Sequence, residues 1–341
     1  QQKQQKLKMP EIVNDEEINE FSEMTNNLSE ISKTSQSSTN GEERQDPQEV
    51  VTNDSSETKE NQPTIEEVVS KFLETTKVNL LIATNAPDGY LSTGYNQGII
   101  GVASHFTKLN IPFEIAVVKN ETDYSTFKNG MVAMALCKSY THLLFIDRDV
   151  TFSWDSVLSL LLKNNDITGG LAPKSNIDWN KLINVYNTEV YKQKEKEDKG
   201  ASPDLDINYL LARTYNYGLD AFVDENQKPV VENNCIRAST LSTDFVMFKC
   251  SAFEKMSERF PTLRYQNTNQ DYNSDPNIKD YFYTFFERKK DLTTNVYNTA
   301  DQTFFQRWAE TEGVAWIDLN VNLNRLGNMD FRGSFLLSVQ D

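Results

Sequence analysis

The sequence predicts an α/β fold, a mostly parallel sheet flanked by helices, preceded by a disordered N-terminal tail. Three observations predict it. Short apolar runs end at Pro, Gly or Asp, as buried parallel strands do. Segments with helical spacing separate those runs. Composition also changes near residue 63: before it the chain is rich in Gln, Asn, Ser, Thr, Glu and Lys, and Phe21 is the lone aromatic until Phe72. Such a segment buries too little apolar surface to offset its ordering entropy. Residues 1–63 are therefore expected to be disordered, with a transient helix near Ile12–Phe21, and 64–341 to form the folded domain.

The elements follow in order. Pro63 opens an amphipathic helix over Thr64–Thr75. The run Val78–Ala83 reads as a strand stopped by Thr84-Asn85-Ala86-Pro87-Asp88-Gly89. Helical spacing covers Ser92–Leu109, a second strand Phe113–Val118, and a second helix Tyr124–Ser139. His142-Leu143-Leu144-Phe145-Ile146-Asp147 is the strongest strand signal in the chain. A helix at Trp154–Leu162 and a strand at Asp166–Leu171 lead to Pro173 and Lys174. Residues 183–235 carry no clear period, and the charged run Lys192–Lys199 reads as an exposed helix end or loop. Strand Phe245–Phe248, helix Ala252–Ser257 and strand Val314–Asp318 complete the reading, with no internal repeat.

Bulk properties narrow the function. A chain of 341 residues with 38% hydrophobic content supports one domain with a real core. A net charge of −16 argues against nucleic-acid binding, which needs a basic surface. Cys137, Cys235 and Cys250 fit neither a zinc site nor a disulfide framework and read as small core residues in a reducing compartment. No run of about 18 apolar residues and no signal-peptide core occurs. The expectation is a cytoplasmic protein with no membrane span, in the host cytoplasm if the chain is viral.

Asp147 and Asp149 leave the end of the most apolar strand. Ligands of doubly wound sheets bind at the carboxyl ends of strands. Residues i and i+2 of an extended chain point the same way, so both carboxylates can face one site. Mg²⁺ or Mn²⁺ takes oxygen ligands from one or two carboxylates plus substrate phosphates. A second such pair, Asp204-Leu205-Asp206, follows no apolar run and reads as surface. Asp147-Arg148-Asp149-Val150-Thr151 also matches the D-x-D-x-T pattern of dehalogenase-type phosphatases, with Asp147 as nucleophile and Asp149 as general acid. That family carries the motif on its first strand, whereas two strands precede it here, and no paired acidic motif follows downstream.

From Val78 to Gly333 the sequence resembles a group of GT-A glycosyltransferases of bacteria and large DNA viruses, distantly similar to a group of fungal mannosyltransferases. Seven segments carry the resemblance in order: Leu81–Pro87, Phe127-Lys128-Asn129, Thr141–Val150, Ile167–Lys174, Ser242–Phe248, Ala300–Trp308, and Leu323–Gly327 followed by Phe331-Arg332-Gly333. The resemblance implies a GT-A-like, Rossmann-type sheet. It implies transfer of a sugar from a nucleotide-sugar donor to a hydroxyl of a glycan, protein or small-molecule acceptor, with Mn²⁺ or Mg²⁺ as cofactor. Asp147 and Asp149 would hold the metal, Asp147 also touching ribose or donor sugar. Thr84, Asn85, Lys128, Asn129, Lys174 and Arg325 would contact the donor, and Asp244 the acceptor. Asp301 would be the general base.

Two departures stand out. Arg325 replaces a His that is commonly a metal ligand; a guanidinium cannot ligate a cation, but it can grip a diphosphate. Ala300 replaces a Glu. Plain alternatives stand beside several roles. Asp301 reads equally as a helix N-cap, Asp244 as a structural hydrogen-bond partner, and Lys174 as a solvated loop lysine. Trp179 and Trp308 read as sugar-stacking rings or as core. His105 and His142 have no metal-like spacing, and His142 reads as structural. A non-catalytic descendant of the fold that binds nucleotide-sugars is the third functional alternative. The sequence leaves open the donor, the acceptor and the anomeric outcome.

Overall fold

The structure, a computed structural model, describes residues 63–196, 207–268, 272, 275–327 and 330–339. The expected tail over 1–63, Pro63 apart, lies outside the described residues, as does Asp204-Leu205-Asp206. Helix α1 (Ile65–Thr75) starts in a capping box: Thr64 Oγ1 accepts from Glu67 N–H at 3.3 Å and the Glu67 carboxylate accepts from Thr64 N–H at 2.8 Å. Val68, Val69 and Phe72 form its buried face.

Two strand–helix–strand crossover units follow. Strand β1 (Leu80–Ala86), helix α2 (Thr93–Lys108), strand β2 (Phe113–Lys119), helix α3 (Tyr124–Cys137) and strand β3 (His142–Ile146) place β2 and β3 on either side of β1, both parallel to it. β1 and β3 are buried on both faces, which is why they read as continuous apolar runs. The chain continues through β4 (Val150–Thr151), α4 (Trp154–Lys163), β5 (Ile167–Leu171), β6 (Pro173–Ile177), α5 (Trp179–Lys196) and α6 (Ile207–Thr214). Strands β7 (Tyr215–Tyr217), β8 (Leu219–Ala221), β9 (Val231–Glu232), β10 (Cys235–Leu241) and β11 (Phe245–Lys249) precede α7 (Cys250–Arg259). The last elements are β12 (Lys289–Lys290), β13 (Tyr297–Asn298), α8 (Ala300–Glu310), β14 (Ala315–Asn322), β15 (Asn324–Leu326), β16 (Asp330–Arg332) and α9 (Phe335–Val339).

The main sheet has nine strands in the order β2-β1-β3-β11-β5-β14-β10-β8, with β9 on β10. It is mixed: β10 and β11 run against all their neighbours, and the other seven point one way. The reversal of β11 sets up the site. It lies between β3 and β5 with Phe245 opposite Ile146, so the residue before β11 meets the residue after β3. Asp147 N–H donates to the Asp244 carbonyl at 2.8 Å. Below that edge an aromatic cluster fills the core; Phe286 and Phe304 stack at 4.5 Å and Phe145, Phe248 and Phe253 pack around them.

His142 is buried at the start of β3, its Nδ1 2.8 Å from Thr141 Oγ1. Burial, then the nearby Lys249 charge, pushes its ring down to about 4. The folded chain therefore resists the proton that the unfolded chain takes up below about 6.5. Stability from this residue is complete above that pH and is lost as pH falls toward 4, reaching about 2 kcal/mol at pH 5. Urea midpoints at pH 7 and pH 5 should differ less in His142→Leu than in wild type; an equal difference would contradict this.

Candidate functional site

The site forms where β3 ends. Asp147-Arg148-Asp149 turns back on itself, with Val150 N–H donating to the Asp147 carbonyl at 3.1 Å. β4 then pairs with β15, Arg325 opposite Val150, and Leu326 N–H donates to the Asp149 carbonyl at 2.9 Å. That ladder delivers Arg325 to the carboxylates. Nη1 lies 3.2 Å from both oxygens of Asp149 and 3.7 Å from Asp147 Oδ2, while Nη2 donates to Asp244 Oδ2 at 2.5 Å. Tyr124, first residue of α3, donates its hydroxyl to Asp147 Oδ1 at 2.6 Å. Ser242 donates to Asp244 Oδ1 at 2.6 Å.

The electrostatics follow from this crowding. Burial, then the Asp244 charge, pushes the Asp147 carboxyl up to about 8, against the Tyr124 hydrogen bond and the Arg325 charge. The Tyr124 phenol is driven well above its ordinary value by burial and by Asp147, Asp244 and Asp301. Burial works against the charge of Arg325, but Asp244, Asp149 and Asp147 outweigh it and raise its proton affinity.

A second pole lies alongside. Asp301 Oδ1 accepts from Lys128 Nζ at 2.6 Å and from Thr243 Oγ1 at 2.8 Å, and Oδ2 accepts from Thr243 N–H at 3.3 Å. Lys128 is wholly buried, bonds Thr243 Oγ1 as well, and lies 4.1 Å over the Tyr124 ring. Adjacent Thr243 and Asp244, in the β10–β11 link, thus join the two poles. The N-cap alternative for Asp301 is corrected: Thr299 caps α8 in a capping box with Gln302, and Asp301 is the second residue of the helix.

The remaining expected residues spread outward. Thr84 is buried and shares a 2.7 Å hydrogen bond with the Tyr95 hydroxyl. Asn85 Nδ2 donates to the Glu121 carbonyl at 3.1 Å, and its Oδ1 is buried with no hydrogen-bond partner among the described residues. Asn129 ties α3 to the segment at Phe286, bonding that residue's carbonyl at 2.8 Å and its N–H at 3.0 Å. Lys174 is exposed on β6. Arg148 pairs with Asp88 at the rim, and its carbonyl accepts from Ser92 N–H at 3.0 Å. Trp308 belongs to the core at 1% exposure, whereas Trp179 is 66% exposed on α5. His105 stacks on Trp154 at 4.0 Å, and the three cysteines are free, Cys137 partly exposed.

Sequence reasoning missed Tyr124, Thr243 and the close approach of α2. A Cβ on Gly98 would meet the Phe152 ring at 2.7 Å and the Phe152 carbonyl at 2.8 Å, just beyond Asp149. Gly98→Ala gains about 1 kcal/mol of helix propensity. The clash with a backbone oxygen outweighs it at about 1–3 kcal/mol, so the variant should lose stability in urea unfolding. A neutral or stabilising result would contradict that packing.

The expected divalent metal does not fit these side chains as placed. The Asp149 carboxylate faces a guanidinium, and no group of three or more His, Cys, Asp and Glu among the described residues is arranged to hold a metal ion. Nor is any described helix long and apolar enough to cross a membrane. Comparison with known proteins adds little: no family model and no curated protein matches the chain. Among solved structures, A197 from STIV is similar at a TM-score of 0.35 and 10% identity, over 74% of this chain and 87% of that one.

Proposed function

We propose that this chain transfers a glycosyl group from a nucleotide-sugar to an acceptor hydroxyl. One observation carries the reading. The reversed strand β11 gathers Asp244 and Asp301 beside Asp147 and Asp149 at the carboxyl end of the sheet, where open α/β folds bind ligands. Three of the seven resembling segments supply these same residues. Carboxylates accept hydrogen bonds from sugar hydroxyls, and a carboxyl held near 8, as at Asp147, can also donate one.

Asp301 is the base. Its Oδ1 is engaged by Lys128 and Thr243, and Oδ2 accepts a long bond from Thr243 N–H, so Oδ2 is the oxygen that takes the acceptor proton. The acceptor oxygen bonds to the anomeric carbon, and the nucleoside diphosphate leaves with the electrons of its bond to that carbon. Lys128 holds Asp301 in place rather than touching the donor. Thr84 and Asn85, at the end of β1, shape the donor end from beneath: the Thr84 hydroxyl is held by Tyr95, and Asn85 Oδ1 is buried. Arg148 and Lys174 are the cations nearest solvent for the diphosphate. Asp244 serves the acceptor through its Ser242-oriented carboxylate. No step is assigned to Mn²⁺ or Mg²⁺.

Hydrolysis of a UDP-, GDP- or dTDP-sugar, followed by nucleotide release, tests this. A donor is expected to turn over slowly with water and faster with an acceptor. Absence of turnover across the panel rejects it. Phosphatase chemistry is disfavoured because a carboxyl held near 8 is a poor nucleophile at neutral pH; p-nitrophenyl phosphate should not be cleaved. Binding without turnover is a second reading, favoured by the pairing of Asp301 with a buried lysine, and donor binding without release would select it.

A further inference from the structure

Three carboxylates from two stretches of chain meet one guanidinium. Asp147 and Asp149 follow β3, Asp244 precedes β11, and Arg325 arrives on β15. The contacts engage both terminal nitrogens: Nη1 at 3.2 Å from each Asp149 oxygen and 3.7 Å from Asp147 Oδ2, Nη2 at 2.5 Å from Asp244 Oδ2. The position is built in by the backbone. Arg325 lies opposite Val150 in the β4–β15 ladder, and Leu326 N–H holds the Asp149 carbonyl at 2.9 Å. The side chain is 12% exposed, so water screens it little.

A Mn²⁺ or Mg²⁺ ion on Asp147 and Asp149 would need the same oxygens at roughly 2.0–2.2 Å. A guanidinium already facing them opposes it twice over: it stands in front of both Asp149 oxygens, and its charge repels a second cation. Unlike a bound metal, it cannot be removed by a chelator, and unlike histidine it stays charged at every working pH.

We infer that Arg325 is the resident cation of this cleft: its guanidinium holds the place between Asp149, Asp147 and Asp244 that a divalent ion would need, so the wild-type cleft lacks a divalent-metal site and removal of the guanidinium creates one. The inference concerns the cleft of the proposed transfer reaction but rests on the ion-pair geometry alone. Its test uses the metal alone, so either idea can fail without the other.

The full chain is titrated with Mn²⁺, and the free aquo-ion is followed by electron paramagnetic resonance. Wild type should leave the Mn²⁺ signal undiminished. Arg325→Ala and Arg325→His should bind Mn²⁺ at least about tenfold more tightly than wild type, and adding Asp149→Asn to either should abolish that binding. Thermal melts identify which variants are folded; the histidine variant keeps a polar ring against the carboxylates if the alanine variant unfolds. Two results overturn the inference: wild-type binding of Mn²⁺ that Asp149→Asn removes, or a folded Arg325 variant that binds no better than wild type.

Discussion

Asp301→Leu should lower the stability of the fold by about 3–5 kcal/mol, the cost of stranding a buried charge. The ammonium of Lys128 is wholly buried, and Asp301 is the carboxylate that compensates it at 2.6 Å. What remains after the substitution is the Thr243 hydroxyl and the faces of Tyr124 at 4.1 Å and Phe286 at 4.9 Å. Ring faces contribute about 2 kcal/mol at best to a desolvated cation, so they do not replace a carboxylate. Lys128→Met added to Asp301→Leu removes the stranded charge and should recover most of the loss. Urea unfolding of both single variants and the double variant measures this. An Asp301→Leu variant within about 1 kcal/mol of wild type would mean that Lys128 is compensated in some other way.

Asp301→Asn separates chemistry from that structural duty. The amide keeps an oxygen for Lys128 and Thr243 but cannot take a proton. Transfer should fall by about 10²–10⁴-fold, the usual contribution of a positioned base. Stability should fall less than in Asp301→Leu, because the amide oxygen still accepts from Lys128 although its charge no longer compensates the ammonium, and donor binding should persist. The readouts are steady-state transfer with the donor and acceptor that support turnover, and a melt of the same sample. An unchanged rate would remove Asp301 from the chemistry and leave it as the partner of Lys128.

The sequence made part of this site legible. The run His142–Ile146 announces a buried strand, and the paired aspartates at its end are where the carboxylates gather around Arg325. Both β1 and β3 were readable because two buried faces leave no alternation to decipher. The meeting of Asp147 with Asp244 was not readable, because an apolar run such as Phe245–Lys249 does not encode its direction in the sheet. Its reversal is a tertiary choice, and it brings together residues far apart in the chain. Lys128 misled for a related reason: the resemblance makes it a donor contact, whereas its side chain is wholly buried. Its burial depends on Asp301, a helix start distant in sequence. Arg325 read as a free fork for a diphosphate, yet the β4–β15 ladder gives its guanidinium three carboxylates instead. The stretch 183–235 was opaque because it opens on the rest of the polar helix Trp179–Lys196, whose sequence carries few apolar residues, and its strands up to β10 are two or three residues long, too short to show a period.

The central claim is that the carboxylate cluster at the end of β3 binds a nucleotide-sugar through Asp147. A thermal-shift titration of the full chain with UDP-, GDP- and dTDP-sugars, with and without Mn²⁺, tests it most directly. One donor should raise the melting temperature with the logarithm of its concentration over its Kd, stabilising the fold by about 2.7 kcal/mol at a hundred times its Kd. The shift should persist without Mn²⁺ and vanish in Asp147→Asn. A panel in which no donor moves the melt, or a shift that Asp147→Asn leaves intact, would contradict the account.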